Sequence, residues 1–94
     1  VNTMPSREVA IGSSVGLHAR PANLFVQEVN KLGVPVTLQK EGRPPVDARS
    51  LLGIMTLGVK HGEVVTLAAE GDGADEALDA LVEFLKIDHD ATDA

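Results

Sequence analysis

Arg7-Glu8-Val9-Ala10-Ile11-Gly12-Ser13-Ser14-Val15-Gly16-Leu17-His18-Ala19-Arg20-Pro21-Ala22-Asn23-Leu24-Phe25-Val26-Gln27-Glu28-Val29-Asn30-Lys31-Leu32-Gly33 changes its hydrophobic period once. Over residues 7–12 the apolar side chains alternate around Val9 and Ile11, as in a half-buried strand. Ser13 to Gly16 has turn chemistry. From His18 the period lengthens: Ala22, Phe25, Val26 and Val29 fall at i, i+3, i+4 and i+7, one face of a helix. Pro21 sits in the first turn, where a missing N–H costs nothing, and Gly33 is placed to end the helix as a C-cap.

Working outward, Val34, Val36 and Leu38 alternate in a second strand. Glu41-Gly42 marks a turn, and Pro44-Pro45 forbids a central strand there, leaving a short edge strand near Val46-Asp47-Ala48. Ser50 has the chemistry of an N-cap for a short helix, Leu51 to Leu57, that carries Gly53 inside and is closed by Gly58. After the Lys60-His61-Gly62-Glu63 turn, Val64 to Ala69 is strongly β-forming. Ala74, Ala77, Leu78, Leu81, Val82 and Leu85 then draw the clearest helical stripe, with acids opposite. The order βαββαβα predicts an α+β fold, a two-layer sandwich with helices outside one antiparallel or mixed sheet. A polar tail, residues 88–94, is expected to be flexible beyond a core of about 6–87.

Ninety-four residues make a single domain, 1–94, with one core and too little bulk to enclose a large cofactor. The absence of cysteine excludes disulfides, iron–sulfur clusters, thiolate zinc sites and cysteine nucleophiles. No apolar run approaches the roughly 18 residues of a membrane span. Val1 to Pro5 carries no basic segment followed by an apolar one, so a cytoplasmic chain without membrane insertion is expected. The net charge of −6 argues against a nucleic-acid partner. That charge is unevenly placed: residues 70–94 hold nine acids and one base, a net of −8, whereas residues 1–69 hold five acids and seven bases, a net of +2. The mildly basic part can face an anionic ligand or partner.

Of the three histidines, His61 lies in a turn and His89 in the acidic tail, where a solvated role suffices. His18 immediately precedes a helix whose first turn contains Arg20. The first N–H groups of a helix lack intrahelical partners, and the dipole adds positive charge, which together suit a phosphate. The same field disfavours imidazolium and keeps a lone pair available for attack. Arg20 adds a permanent cation whose planar donors match phosphate oxygens. Position alone leaves two readings open, a transiently phosphorylated nucleophile and a helix-capping histidine.

Gly16-Leu17-His18-Ala19-Arg20-Pro21-Ala22 closely resembles the active-centre signature of the histidine-containing phosphocarrier protein (HPr) family. Arg49-Ser50-Leu51-Leu52-Gly53-Ile54-Met55-Thr56-Leu57-Gly58 resembles the family's second segment, around its regulatory serine. The resemblance covers residues 6–87. It implies the HPr open-faced sandwich, a four-stranded antiparallel sheet covered on one face by three helices. It also implies a monomeric carrier rather than an enzyme, without metal or cofactor, in the phosphoenolpyruvate-dependent sugar phosphotransferase system. By the same resemblance enzyme I phosphorylates His18 at Nδ1, and the group passes to EIIA domains of sugar permeases. Arg20 matches the phosphate-stabilising arginine, the backbone amides of Ala19 and Arg20 the phosphate site, and Ser50 the serine modified by HPr kinase. Departures from the common pattern are Arg49 in place of lysine, Val15 at a site often polar, and a loop lengthened by Pro44-Pro45.

If Ile54 and Leu57 face the core, Leu51, Leu52 and Met55 are left largely outward, an exposed docking patch for several partners. Arg20 and Arg49 would form its basic rim and steer acidic partners. Two alternatives stay open: an HPr-like carrier of a nitrogen-related or dihydroxyacetone phosphotransfer system, and a non-phosphorylated α+β regulatory or binding module. His18 itself counts against the purely regulatory members that lack this residue.

Overall fold

The structure, a computed structural model, describes residues 5–12, 16–17 and 19–87. His18, Val15, His89 and the expected tail 88–94 lie outside the described residues. Seven elements follow the expected order: β1 (Ser6–Ala10), α1 (Ala19–Leu32), β2 (Val36–Lys40), β3 (Val46–Asp47), α2 (Leu51–Thr56), β4 (Val64–Ala69) and α3 (Ala74–Lys86).

The strands form one antiparallel sheet in the order β1-β4-β2-β3. Register follows from the alternation of side chains. Val9 stands opposite Val65, and Leu38 opposite Leu67, so the buried residues of neighbouring strands share one face. On the other face Glu8, Thr66 and Gln39 form a polar row across β1, β4 and β2. One apolar face and one solvated face make an open-faced sandwich. β2 begins two residues later than its alternation suggests, because Pro35 has no N–H for the ladder. Pro44-Pro45 leaves β3 as a two-residue edge strand on β2.

The helices close the apolar face. α3 packs on β1 and β4, while α1 lies against both α2 and α3. Phe25, Leu38, Leu67, Leu78, Leu81 and Ile54 are completely or almost completely buried and join the layers in one core. Fully burying each such side chain contributes about 1.5–3 kcal/mol. Gly33, at φ 68°, ends α1 as the sequence suggests. α3 starts from Gly73 without a side-chain cap, but Asp75 and Glu76 in its first turn complement the helix dipole. Arg7 ties β1 to α3 through Asp75 at 3.0 Å and Asp79 at 3.2 Å. Among the described residues no helix is long and apolar enough to cross a membrane.

Candidate functional site

The chain between β1 and α1 is fixed at both described ends. Gly12 donates its N–H to the Leu85 carbonyl at 2.8 Å, and it lies so close to the end of α3 that any Cβ would strike the Lys86 carbonyl. Ile11 exchanges hydrogen bonds with the 60–63 turn, donating to the Glu63 carbonyl and accepting from Gly62. At the far end Gly16, at φ 71°, backs onto the Val59 carbonyl and the Lys60 backbone. A side chain there would be strained and would also clash. Leu17 follows, buried, with its N–H donated to Val59 at 2.9 Å.

α1 then begins at Ala19, directly after the sequence position of His18. Its first turn contains no acid, and Pro21 and Ala22 are buried where they seat the helix on the core. Ala19 and Arg20 are exposed.

α2 is held from its N-terminal side. Ser50 Oγ accepts the Gly53 N–H at 3.0 Å, which makes Ser50 the N-cap the sequence suggests. Gly53 fits beneath Ser50 and beside Val46, so its place inside a short helix has a packing cause. Asp47 accepts the Arg49 N–H at 2.9 Å and also pairs with the Arg49 guanidinium. The Arg49 backbone N–H, and after it the guanidinium, holds the Asp47 carboxyl below its usual range. Arg49 is thus tied back to its own turn, with its side chain still about half exposed.

The docking residues divide. Leu52 is 73% exposed and Met55 40%, whereas Ile54 and Leu57 are buried, as expected. Leu51 is a correction: it packs half-buried against the core rather than turning outward, because α2 is lodged against both α1 and β3 and has too few turns to keep its first residue clear of them. Met55 joins Leu17, Gly58, Val59 and Lys60 around a hollow of about 160 Å³. Leu17 therefore adjoins the same apolar surface that α2 presents.

One part of the site's support had no signature in the sequence. Glu63, read only as a turn residue, accepts the Lys60 N–H at 2.7 Å and pairs with Lys40 at 3.2 Å. The Lys60 N–H, and after it Lys40, holds the Glu63 carboxyl below the usual glutamate range. A depressed carboxylate stabilises the fold fully above its unfolded value, about 4.3, and that contribution fades as the pH falls through the lower folded value. Lys40 and Glu63 are far apart in sequence, so only the register of β2 against β4 could have brought them together.

Comparison with known proteins agrees with this architecture. The family described as PTS HPr component phosphorylation site matches residues 5–86. The phosphocarrier protein HPr of Streptomyces coelicolor is 43% identical over 82 residues, covering 87% of this chain and 88% of that protein. The HPr-like protein Crh of Halalkalibacterium halodurans is 39% identical over 83 residues, covering 88% of this chain and 98% of that protein. Among solved structures, the phosphocarrier protein HPr from Bacillus anthracis str. Ames superposes with a TM-score of 0.83 at 40% identity, covering 89% of this chain and 99% of that one. The chain belongs to the HPr family of the phosphotransferase system, and its role is that of a phosphocarrier.

Proposed function

We propose that His18 is the phosphoryl acceptor, that phospho-enzyme I is the donor, and that EIIA domains of sugar permeases receive the group in the cytoplasm. The observation that carries this reading is the start of α1 at Ala19, with no acid in its first turn and with the preceding Leu17 pinned to Val59. In the forward step an imidazole nitrogen of His18 forms a bond to phosphorus as the bond between phosphorus and the donor breaks. The backbone amides of Ala19 and Arg20, at the start of α1, and the Arg20 guanidinium would stabilise charge on the phosphoryl oxygens. In the onward step a nucleophile of the EIIA domain forms the bond to phosphorus as the bond between phosphorus and the His18 nitrogen breaks, which restores the free imidazole, so the chain turns over without a cofactor and without being a complete catalyst.

Ser50 is exposed and caps α2, which makes it accessible to HPr kinase. A phosphate there would add nearly two negative charges beside Leu52 and Arg49 on the face proposed to dock acidic partners.

The test is incubation with phosphoenolpyruvate and enzyme I, followed by intact-mass spectrometry. One phosphoryl group is expected, acid-labile and alkali-stable, as a phosphoramidate is. His18→Ala should remove it while leaving the melting temperature nearly unchanged. Undiminished labelling of that variant would overturn the assignment.

A further inference from the structure

Lys40 occupies a position that the sheet's alternation would give to an apolar residue. It stands opposite Val65, which in turn faces Val9, and it shares its parity with the buried Val36 and Leu38. Its side chain is only 24% exposed. The ammonium reaches beyond the core edge to two acceptors, the Gly58 carbonyl at 3.3 Å and Glu63 Oε1 at 3.2 Å. The same Glu63 oxygen takes the Lys60 N–H. One ammonium and one carboxylate therefore fasten both ends of the segment 58–63 to β2.

That segment is what the site's chain hangs from. Val59 accepts the Leu17 N–H, Glu63 accepts the Ile11 N–H, and Gly62 donates to Ile11. Gly16 leaves no room for a side chain between itself and the backbone of Val59 and Lys60, so the two stretches pack backbone to backbone. Moving 58–63 relative to the sheet would move Leu17 and, with it, the start of α1. The charged groups around the knot are Lys40 from β2, Lys60 and Glu63 from the turn, and Glu41, which lines the same surface hollow.

We propose that Lys40 and Glu63 are positioning residues for phosphoryl transfer, bracing the 58–63 segment so that Leu17, which precedes the acceptor in sequence, is held against Val59. This rests on the reading of His18 as the acceptor. Neither residue touches the phosphoryl group in this scheme. They act through the Val59–Leu17 hydrogen bond.

The experiment compares wild type with Lys40→Met, which keeps the stem and removes the ammonium, with Glu63→Gln, which keeps an acceptor for Lys60, and with Lys40→Arg. Steady-state phosphorylation by enzyme I and phosphoenolpyruvate is measured well below the melting temperature, with amide hydrogen exchange at Leu17. A displacement of less than an ångström predicts that kcat for Lys40→Met falls about tenfold while KM stays within about twofold. Opening of the Val59–Leu17 bond predicts exchange at Leu17 about tenfold faster, with exchange at Leu67 in β4 unchanged. Glu63→Gln should move both readouts the same way, and Lys40→Arg should restore them. Wild-type kcat and wild-type Leu17 exchange in Lys40→Met would overturn the proposal, as would a rise in KM alone or a loss that Lys40→Arg fails to rescue. Should the wild type take no phosphoryl group on His18, the reading of the site fails by itself. Leu17 exchange then still decides the bracing: acceleration in Lys40→Met upholds it, and no change refutes it.

Discussion

α3 and α2 use apolar residues in opposite ways. α3 turns Ala74, Ala77, Leu78, Leu81 and Leu85 into the core and keeps acids outside. α2 carries Leu51, Leu52, Ile54 and Met55 in six residues but fully buries Ile54 alone, leaving Leu52 and Met55 exposed. Burial of a continuous stripe holds α3 on β1 and β4, and its glycine N-cap contributes no side-chain bond. α2 lacks that stripe and relies on Ser50, the Asp47 turn and the buried Leu57 that follows it. The outward Leu and Met of α2 therefore add little to folding, and their use lies in what they meet outside the molecule.

The contrast breaks most visibly in α3. Leu81 is almost fully buried in the main core. Leu81→Ala should cost about 2–5 kcal/mol through lost transfer energy and the cavity left behind. Against a total of about 5–15 kcal/mol, that is a large share of the domain's stability. Urea unfolding followed by circular dichroism would measure it. A loss below about 1 kcal/mol would mean that the α3 stripe collapses easily around the gap, and the distinction between the helices would weaken.

A middle-sized effect is expected at the cap of α2. Ser50→Ala removes the oxygen that accepts the Gly53 N–H and should cost about 0.5–2 kcal/mol. Ser50→Asp keeps an acceptor and places a negative charge at a helix N-terminus, so its stability should match or slightly exceed that of wild type. If both variants unfold at the same urea concentration as wild type, α2 is held by Ile54 and Leu57 without its cap. A functional deficit in Ser50→Asp at full stability would instead be electrostatic, and raising the salt concentration should shrink it.

Most of this contrast can be read from residue order. The α3 stripe repeats over three turns with acids opposite, and a signal of that length is hard to misread. The alternation at Val9 and Ile11, the breaks at Gly33 and Gly58, and Ser50 before an apolar run give the elements and their order. What the sequence hides depends on contacts between distant segments. Leu51 looked as outward as Leu52, because a helix of six residues has too few turns to define a face. Gly12 looked like an ordinary strand end, although its lack of a side chain is required by the end of α3. Arg49 read as a basic rim residue, although Asp47, two positions earlier, holds its guanidinium. The pairing of Lys40 with Glu63 depends on the β2–β4 register, which local periodicity does not specify.

The smallest expected change in stability is also the sharpest test of the contrast. Leu52 is the most exposed large apolar residue among those described, at 73%. Leu52→Glu removes little buried area and introduces a charge into water, so unfolding should shift by no more than about 0.5 kcal/mol. The glutamate would nevertheless enter the proposed docking face, close to Met55 and the hollow beside Leu17. A carboxylate pressed into an apolar contact loses its hydration without gaining a partner, and it repels acidic groups that the basic rim would attract. KM for phosphorylation by enzyme I should therefore rise about tenfold, equivalent to about 1.4 kcal/mol of docking energy. Transfer to an EIIA domain should weaken in parallel, since on the proposed reading both partners reach His18 over the same surface. If stability drops by several kcal/mol instead, Leu52 is packed in solution and α2 is a second core helix. If stability and both transfers are unchanged, the exposed leucine plays no part in docking, and the site must be approached from the α1 side.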